Sequence, residues 1–365
     1  MKSYANLHDT FLSDDTIREA IRQSLKGRRK KRAVKRFLER YPTDEEQIAH
    51  MRRVASNFRN AKHTPREIYD GISHKRRTII VPTFHEIIVH HMVVITLRPM
   101  FTRGMYFHTY AAVPGRGPHK GKRYVERWIR EDPRNCKYVL KLDIRKYFDS
   151  IPHEILLRKL RGSIRDRRFL AVVEEIVNVQ PVGIPLGFYT SQWIANWYLQ
   201  DLDHFVKEKL GAVHFMRYQD DIVIFGSNKL QLHVMRVMIS CFARDALGLT
   251  VKHNWQVYRF DWYDRRRGLR RGRDLDYMGF RFWRDRTTLR KSILRKLKRK
   301  ARKIHKTRPV SVFEARQMLS YLGWIKATNT YKAYKKDVKP LVSFRLMRLK
   351  VSRFDRKMNL LKEAA

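Results

Sequence analysis

Apolar and polar positions recur along this chain with several different periods, and each stretch predicts an element. Thr78 to Phe101 (TIIVPTFHEIIVHHMVVITLRPMF) predicts a short apolar strand, a break at Pro82, and a long apolar helix ending near Pro99. Tyr138 to Ile144 (YVLKLDI) predicts a buried strand that finishes in an acid. A helix is predicted from Ser150 to Leu160, with Pro152 near its first turn and Glu154 one turn after Ser150. Thr190 to Leu210 predicts a long helical segment carrying Trp193, Asn196, Trp197, Leu199, Leu202 and Phe205. Phe215 to Phe225 (FMRYQDDIVIF) predicts a strand, a tight acidic turn and a second strand, and Leu275 to Trp283 alternates like a further strand. From Arg290 the pattern is helical, with Ile293, Leu297, Ala301 and Ile304 on one stripe. Strands mixed with helices in this order predict an α+β core with helical additions at both ends.

Charge changes this picture. The 365 residues hold 80 Lys+Arg against 35 Asp+Glu, a net charge of +45. Three runs carry much of it: Lys26 to Arg36, Arg265 to Arg273 and Lys296 to Lys306. Any one run reads as a solvated face, but three together point to contact with phosphates. A disordered basic tail is excluded, because 43% of the residues are hydrophobic and 12% aromatic. Cys136 and Cys241 are too few for a disulfide framework or a cysteine-rich zinc site and suit a reducing cytoplasm. No uninterrupted apolar run reaches the roughly 18 residues of a membrane span, and Met1 to Asp15 lacks a signal core. The expectation is a cytoplasmic protein with no membrane association whose partner is nucleic acid.

The candidate chemistry lies at Asp220-Asp221. Two Asp in a turn are ordinary turn residues when taken alone. Here the flanking strands are apolar enough to be buried, so adjacent carboxylates need a cation or protons. Asp143, at the end of the other buried strand, supplies a third. Three such acids suit a hard divalent ion bound through oxygen, Mg²⁺ rather than zinc. In so basic a chain that points to synthesis or cleavage of polynucleotides.

Three stretches, Asp143-Ile-Arg-Lys-Tyr-Phe148, Gly183-Ile-Pro-Leu-Gly-Phe-Tyr-Thr-Ser-Gln192 and Tyr218-Gln-Asp-Asp221, resemble the ordered motifs of prokaryotic reverse transcriptases. The resemblance implies a right-hand polymerase fold with fingers, a palm of antiparallel sheet and a helical thumb. It places a basic helical N-terminal extension at 1–70, fingers and palm at 71–288, and the thumb at 289–365. It implies that Asp143 and Asp220 ligate two Mg²⁺ ions, with Mn²⁺ able to substitute, and that the Ile144 carbonyl and Asp221 join the cluster. Phe148 matches the gate that blocks a ribose 2′-hydroxyl, so dNTPs are the implied substrate. Lys75 and Arg77 resemble the clamp on the incoming triphosphate, and Arg116, in Pro114 to Gly121, lies near nucleotide or template. Leu186, Gly187 and Gln192 fall in the nucleotide-facing motif. Tyr218 packs near the primer end, and Leu275 to Phe282 resembles the primer-grip hairpin, with Met278-Gly279 at the grip.

Two departures refine the resemblance. Leu186 stands where many relatives have glutamine, and Gln192 where they have proline. The IPLGxxxSQ form is similar to the enzymes of diversity-generating retroelements, and a leucine that cannot hydrogen-bond the sugar implies error-prone synthesis. Near Leu247 to Gln256 the lysine expected to protonate pyrophosphate falls on Trp255, with Lys252 three residues earlier. The implied partners are a template or non-coding RNA, the RNA–DNA duplex, dNTPs and a small basic helical accessory protein, in a bacterial or phage-encoded setting. With no RNase H, maturase or endonuclease segment after the thumb, any integration step would fall to partners. Some phage-defence reverse transcriptases share these motifs, and a third reading is a non-catalytic RNA-binding protein on a polymerase fold. His90, His91 and His153 read as packed polar residues rather than ligands.

Overall fold

The computed structural model describes residues 3–69, 76–307 and 309–363, which form two compact units: Met1–Arg116 with Leu140–Val257, and Gly117–Val139 with Tyr258–Ala365. The first unit opens with helices Leu7–Phe11, Asp14–Leu25, Arg32–Arg40 and Asp44–Ser56. An Arg66–Tyr69 and Arg76–Ile79 hairpin follows, then the helix Phe84–Thr102. That helix starts at Thr83, whose hydroxyl accepts from the Glu86 amide while the Glu86 carboxylate accepts from the Thr83 amide. Ile88, Val89, Met92, Val94 and Leu97 are fully buried, so the helix is apolar all round because protein surrounds it. It runs three residues past the predicted stop at Pro99. The proline forfeits one rung, and burial of Met100 and Phe101 holds the last turn in place.

The central sheet has the order Thr109–Tyr110, His214–Tyr218, Asp221–Gly226, Tyr138–Asp143, Gln256–Arg259. His214–Tyr218 and Asp221–Gly226 form the expected antiparallel hairpin, with Tyr218 opposite Asp221. The short Thr109–Tyr110 edge pairs parallel to Arg217–Tyr218, so the sheet is mixed rather than purely antiparallel. Between the strands, the predicted helix from Ser150 divides. A four-residue helix Tyr147–Ser150 is closed by the Ser150 hydroxyl on the Arg145 and Tyr147 carbonyls, and a second helix, His153–Ser163, starts after Pro152. Proline has no amide hydrogen to continue a ladder, so it separates the two. The Thr190 to Leu210 segment is likewise broken, into Tyr189–Tyr198, Gln200–His204 and a π-helical turn Phe205–Lys209.

In the second unit, Leu275 to Trp283 is the hairpin that the resemblance implies rather than the single strand that its alternation suggests. Leu275–Tyr277 and Phe280–Phe282 pair across Met278-Gly279, whose φ angles of 51° and 87° make the two-residue turn. The helices Lys291–Lys306, Val312–Lys326, Tyr331–Asp337 and Phe344–Glu363 follow. The predicted stripe Ile293, Leu297, Ala301 and Ile304 is the buried face of the first of these. Among the described residues no helix is long and apolar enough to cross a membrane.

Candidate active site

Adjacent strands bring the acids together. Asp143 ends Tyr138–Asp143, and the neighbouring strand begins at Asp221, directly after Asp220 in the turn. A short antiparallel bridge then delivers a base to them. The Arg145 amide donates to the Thr250 carbonyl at 2.7 Å, and the Lys252 amide donates to the Asp143 carbonyl at 2.8 Å. That register places Lys252 Nζ 2.6 Å from Asp143 Oδ2. Lys141 shares the Asp143 face by strand alternation, and its Nζ lies 3.6 Å from Asp221 Oδ2. Trp255 is occupied otherwise, with the Arg236 guanidinium 4.3 Å from its ring and His233 edge-on.

Burial, and then the Asp143 charge, push the Asp220 carboxyl up to about 7. Asp143 Oδ1 is buried without a hydrogen-bond partner. A crowded carboxyl beside an orphaned carboxylate oxygen is a donor set suited to a hard cation. Among the described residues no three His, Cys, Asp or Glu side chains form a ready metal cluster. Instead Asp143 and Asp221 each face a lysine ammonium, so the acids are neutralised in pairs.

Beneath the turn lies a charged network that neither composition nor motif spacing reveals. Arg217 and Asp203 are both fully buried, and Arg217 Nε and Nη2 donate to the Asp203 carboxylate at 2.6 and 2.5 Å. Arg217 Nη1 donates to the Gln219 carbonyl at 2.8 Å, and the Gln219 amide donates to the Tyr110 carbonyl. Those bonds hold Gln219 at a φ of 60°, a region costly for a side-chain-bearing residue. Thr109 donates to Asp203, and Asn196 donates to the Ala111 carbonyl. The one signal in the sequence is Arg217 itself, a cation in an otherwise apolar strand, which demands a buried partner.

The Gly183–Gln192 stretch docks against the Asp143 motif. The Ile184 amide donates to the Phe148 carbonyl at 2.8 Å, and the Gly183 amide donates to the Ile151 carbonyl. His153 Nε2 donates to the Gly183 carbonyl at 2.5 Å, so this histidine fastens the loop rather than merely packing. Phe148 is half-buried, edge-on to Tyr147. The Ser191 hydroxyl closes the turn on the Pro185 carbonyl, while Gln192 is exposed. The Leu186 carbonyl accepts from the Ile80 amide at 2.8 Å, and a Cβ on Gly187 would fall 2.2 Å from the Ile80 carbonyl oxygen. Leu186 and Ile80 line a cavity of about 610 Å³ with Asn60, His63 and Thr78.

Other predicted residues are placed less centrally. Ile144 is fully buried and bridges Val251, and Tyr218 is half-buried opposite Asp221. Arg77 is exposed on its hairpin, and Lys75 lies outside the described residues. Arg116 Nη1 donates to the Tyr106 and Phe107 carbonyls. Met278 and Gly279 form the turn of the second unit's hairpin, where a Cβ on Gly279 would press on Ile293 and Trp324 at 3.0 Å. His90 and His91 pack on Phe188 and Tyr189, and burial pushes both well below the usual histidine range.

Residues 60–282, more than half of the chain, match the family model described as reverse transcriptase (RNA-dependent DNA polymerase). Over 121 residues the chain is 29% identical to the retron Ec73 reverse transcriptase of Escherichia coli, covering 30% of this chain and 37% of that protein. It is 22% identical over 146 residues to the E. coli protein YkfC, covering 37% and 38%. It is 27% identical over 152 residues to an uncharacterized 91 kDa protein in a cob intron of Schizosaccharomyces pombe, covering 39% and 18%. The matches thus span less than two fifths of each relative's length. Among solved structures, a Candida albicans telomerase aligns at 12% identity with a TM-score of 0.47, covering 78% of this chain and 57% of that one.

Proposed function

The chain belongs to the reverse transcriptase (RNA-dependent DNA polymerase) family, and on that premise we propose that it copies an RNA template into DNA. The observation that carries this reading is the juxtaposition of Asp143 and Asp220, one with an orphaned oxygen and the other crowded toward its protonated form. Asp143 and Asp220, with the Ile144 carbonyl and Asp221, would hold two Mg²⁺ ions, Mn²⁺ substituting. Such ions, when bound, activate a primer 3′-hydroxyl and neutralise the leaving pyrophosphate. Lys252, whose Nζ lies 2.6 Å from Asp143 Oδ2, would hold a proton at Nζ beside the acids and give it to the departing pyrophosphate.

The remaining side chains sort substrates. Phe148 would exclude a 2′-hydroxyl, and Lys75, Arg77 and Arg116 would meet the triphosphate or template. Gly187 lets the nucleotide-facing loop lie against Ile80 without a clash. Tyr218, Met278 and Gly279 would steady the primer end. Primer extension on RNA with dNTPs and Mg²⁺ tests this reading. Asp220→Asn should abolish synthesis, and full activity in that variant would sink it.

The finer reading is an error-prone enzyme of the diversity-generating type, supported by Leu186 and Gln192 in their motif. It would work in the cytoplasm with a dedicated template RNA and a small basic accessory protein. A phage-defence enzyme bound to its own non-coding RNA is the second reading, supported by the same two residues. Sequencing the RNA and cDNA that co-purify with the chain separates them: mutated copies of a protein-coding repeat favour diversification, and self-templated cDNA favours defence.

A further inference from the structure

The connection between the Arg32–Arg40 and Asp44–Ser56 helices builds a pocket that the chemistry above does not use. Arg40, Tyr41, His50, Arg53 and Val54 line an open, shallow depression of about 520 Å³. The local sequence fixes its shape. Tyr41 ends the first helix, Pro42 turns the chain, and Thr43 caps the second helix in a reciprocal box with Glu46. His50 and Arg53 are then one turn apart on the second helix. The Tyr41 and His50 rings stack at 4.1 Å with 18° between their planes, and His85 meets His50 edge-on at 5.1 Å. The Arg40 guanidinium sits 5.8 Å from the Tyr41 ring.

This pocket gathers positive charge without a counter-charge. Among the described residues neither the Arg40 nor the Arg53 side chain makes a hydrogen bond or an ion pair. The nearby acid Glu46 is committed to the Thr43 amide. His50 Nε2 is buried with no partner. Burial holds His50 below its ordinary range, and the charges of His85, Arg53 and Arg40 lower it further. An anion seated there would relieve that repulsion. The surface leading to the pocket points to a polyanion: Arg32, Lys35, Arg36 and Arg40 are exposed along the first helix, after the basic run that starts at Lys26. Stacked rings beside a phosphate-binding track are the recurring means of holding unpaired nucleotides.

We propose that this pocket seats a backbone phosphate of a single-stranded RNA segment, clamped between Arg40 and Arg53, with the neighbouring nucleotide against the Tyr41–His50 stack. The proposal rests on the RNA-directed function above and adds a contact point remote in sequence from the catalytic acids. It is tested by titrating a labelled single-stranded RNA of mixed sequence against the full chain at several salt concentrations. Arg40→Gln/Arg53→Gln should weaken binding roughly 10- to 100-fold and reduce the slope of log K against log [salt] by about 0.7, one single-strand phosphate contact's worth. Tyr41→Ala should weaken binding with little change in slope, because it removes stacking and not charge. Arg167→Gln/Arg168→Gln, which removes the same charge from an exposed helix start elsewhere, should do much less. Equal losses in the two double variants, or an unchanged affinity and slope in the first, would overturn the pocket. These readouts need no DNA synthesis. A parent chain that fails to extend any primed template refutes the polymerase reading and leaves the binding comparison to decide the pocket separately.

Discussion

Arg217 and Asp203 form a fully buried ion pair directly behind the turn that carries Asp220, and the same guanidinium holds the Gln219 carbonyl. The pair therefore fixes the backbone that aims Asp220. Removing one partner strands an uncompensated charge, which costs about 3–5 kcal/mol. Arg217→Met and Asp203→Leu should each lower the melting temperature sharply. The double variant should recover most of that loss, since a buried pair is often replaceable by apolar groups. It should not recover synthesis, because the Gln219 carbonyl then loses the guanidinium that holds it and only the Gln219 amide bond to Tyr110 remains. A double variant with full primer extension would show that the network serves stability alone.

Asp220 gives a prediction whose sign depends on pH. Its folded pKa, about 7, lies above its unfolded value, so the folded state binds the proton more tightly. The stability from this preference is complete below about pH 4 and is lost as pH rises through 7. In chelator, Asp220→Asn should therefore melt higher than the parent chain at pH 8. The advantage should shrink toward pH 5 and vanish near pH 4. Melting curves across that range check it, and a variant less stable at pH 8 would contradict the burial of Asp220 beside the Asp143 charge.

Much of this site is legible in the sequence. Asp143, Asp220 and Asp221 stand out because buried strands rarely end in acids without a use, and the Phe215 to Phe225 pattern specifies the hairpin that presents two of them. The stripe from Ile293 to Ile304 is legible for a similar reason, since helical periodicity survives even in a very basic segment. Long-range pairing is what the pattern hides. Lys252 lies 109 residues from Asp143 and reaches it through a two-bond backbone bridge that leaves no mark on spacing. Spacing alone points to Trp255, which the structure commits to Arg236. The break at Pro152 is hidden for a local reason: the Ser150 hydroxyl can close one helix as readily as open the next.

The close approach of the Gly183–Gly187 loop to Ile80 makes Gly187 sensitive to any side chain. At a φ of 112° and with the Ile80 oxygen 2.2 Å from a built Cβ, alanine must displace the loop. Gly187→Ala should cost about 2 kcal/mol or more and reduce dNTP incorporation more than it reduces RNA binding. Gly117→Ala, where a Cβ meets nothing within 4 Å and φ is −90°, is the matched control and should be nearly silent.

Leu186 tests the error-prone reading. Its side chain lines the cavity beside Ile80 and offers no hydrogen bond to a nucleotide sugar. A glutamine there could form one, and a single such bond is worth about 1 kcal/mol, roughly a fivefold change in discrimination. Leu186→Gln should therefore lower misincorporation on an RNA template by about that factor while leaving correct incorporation within a few-fold of the parent rate. Sequencing of extension products from the two enzymes reads the error frequency directly. An unchanged error rate in an active variant would mean that Leu186 does not set fidelity, and the low-fidelity reading would lose its structural basis.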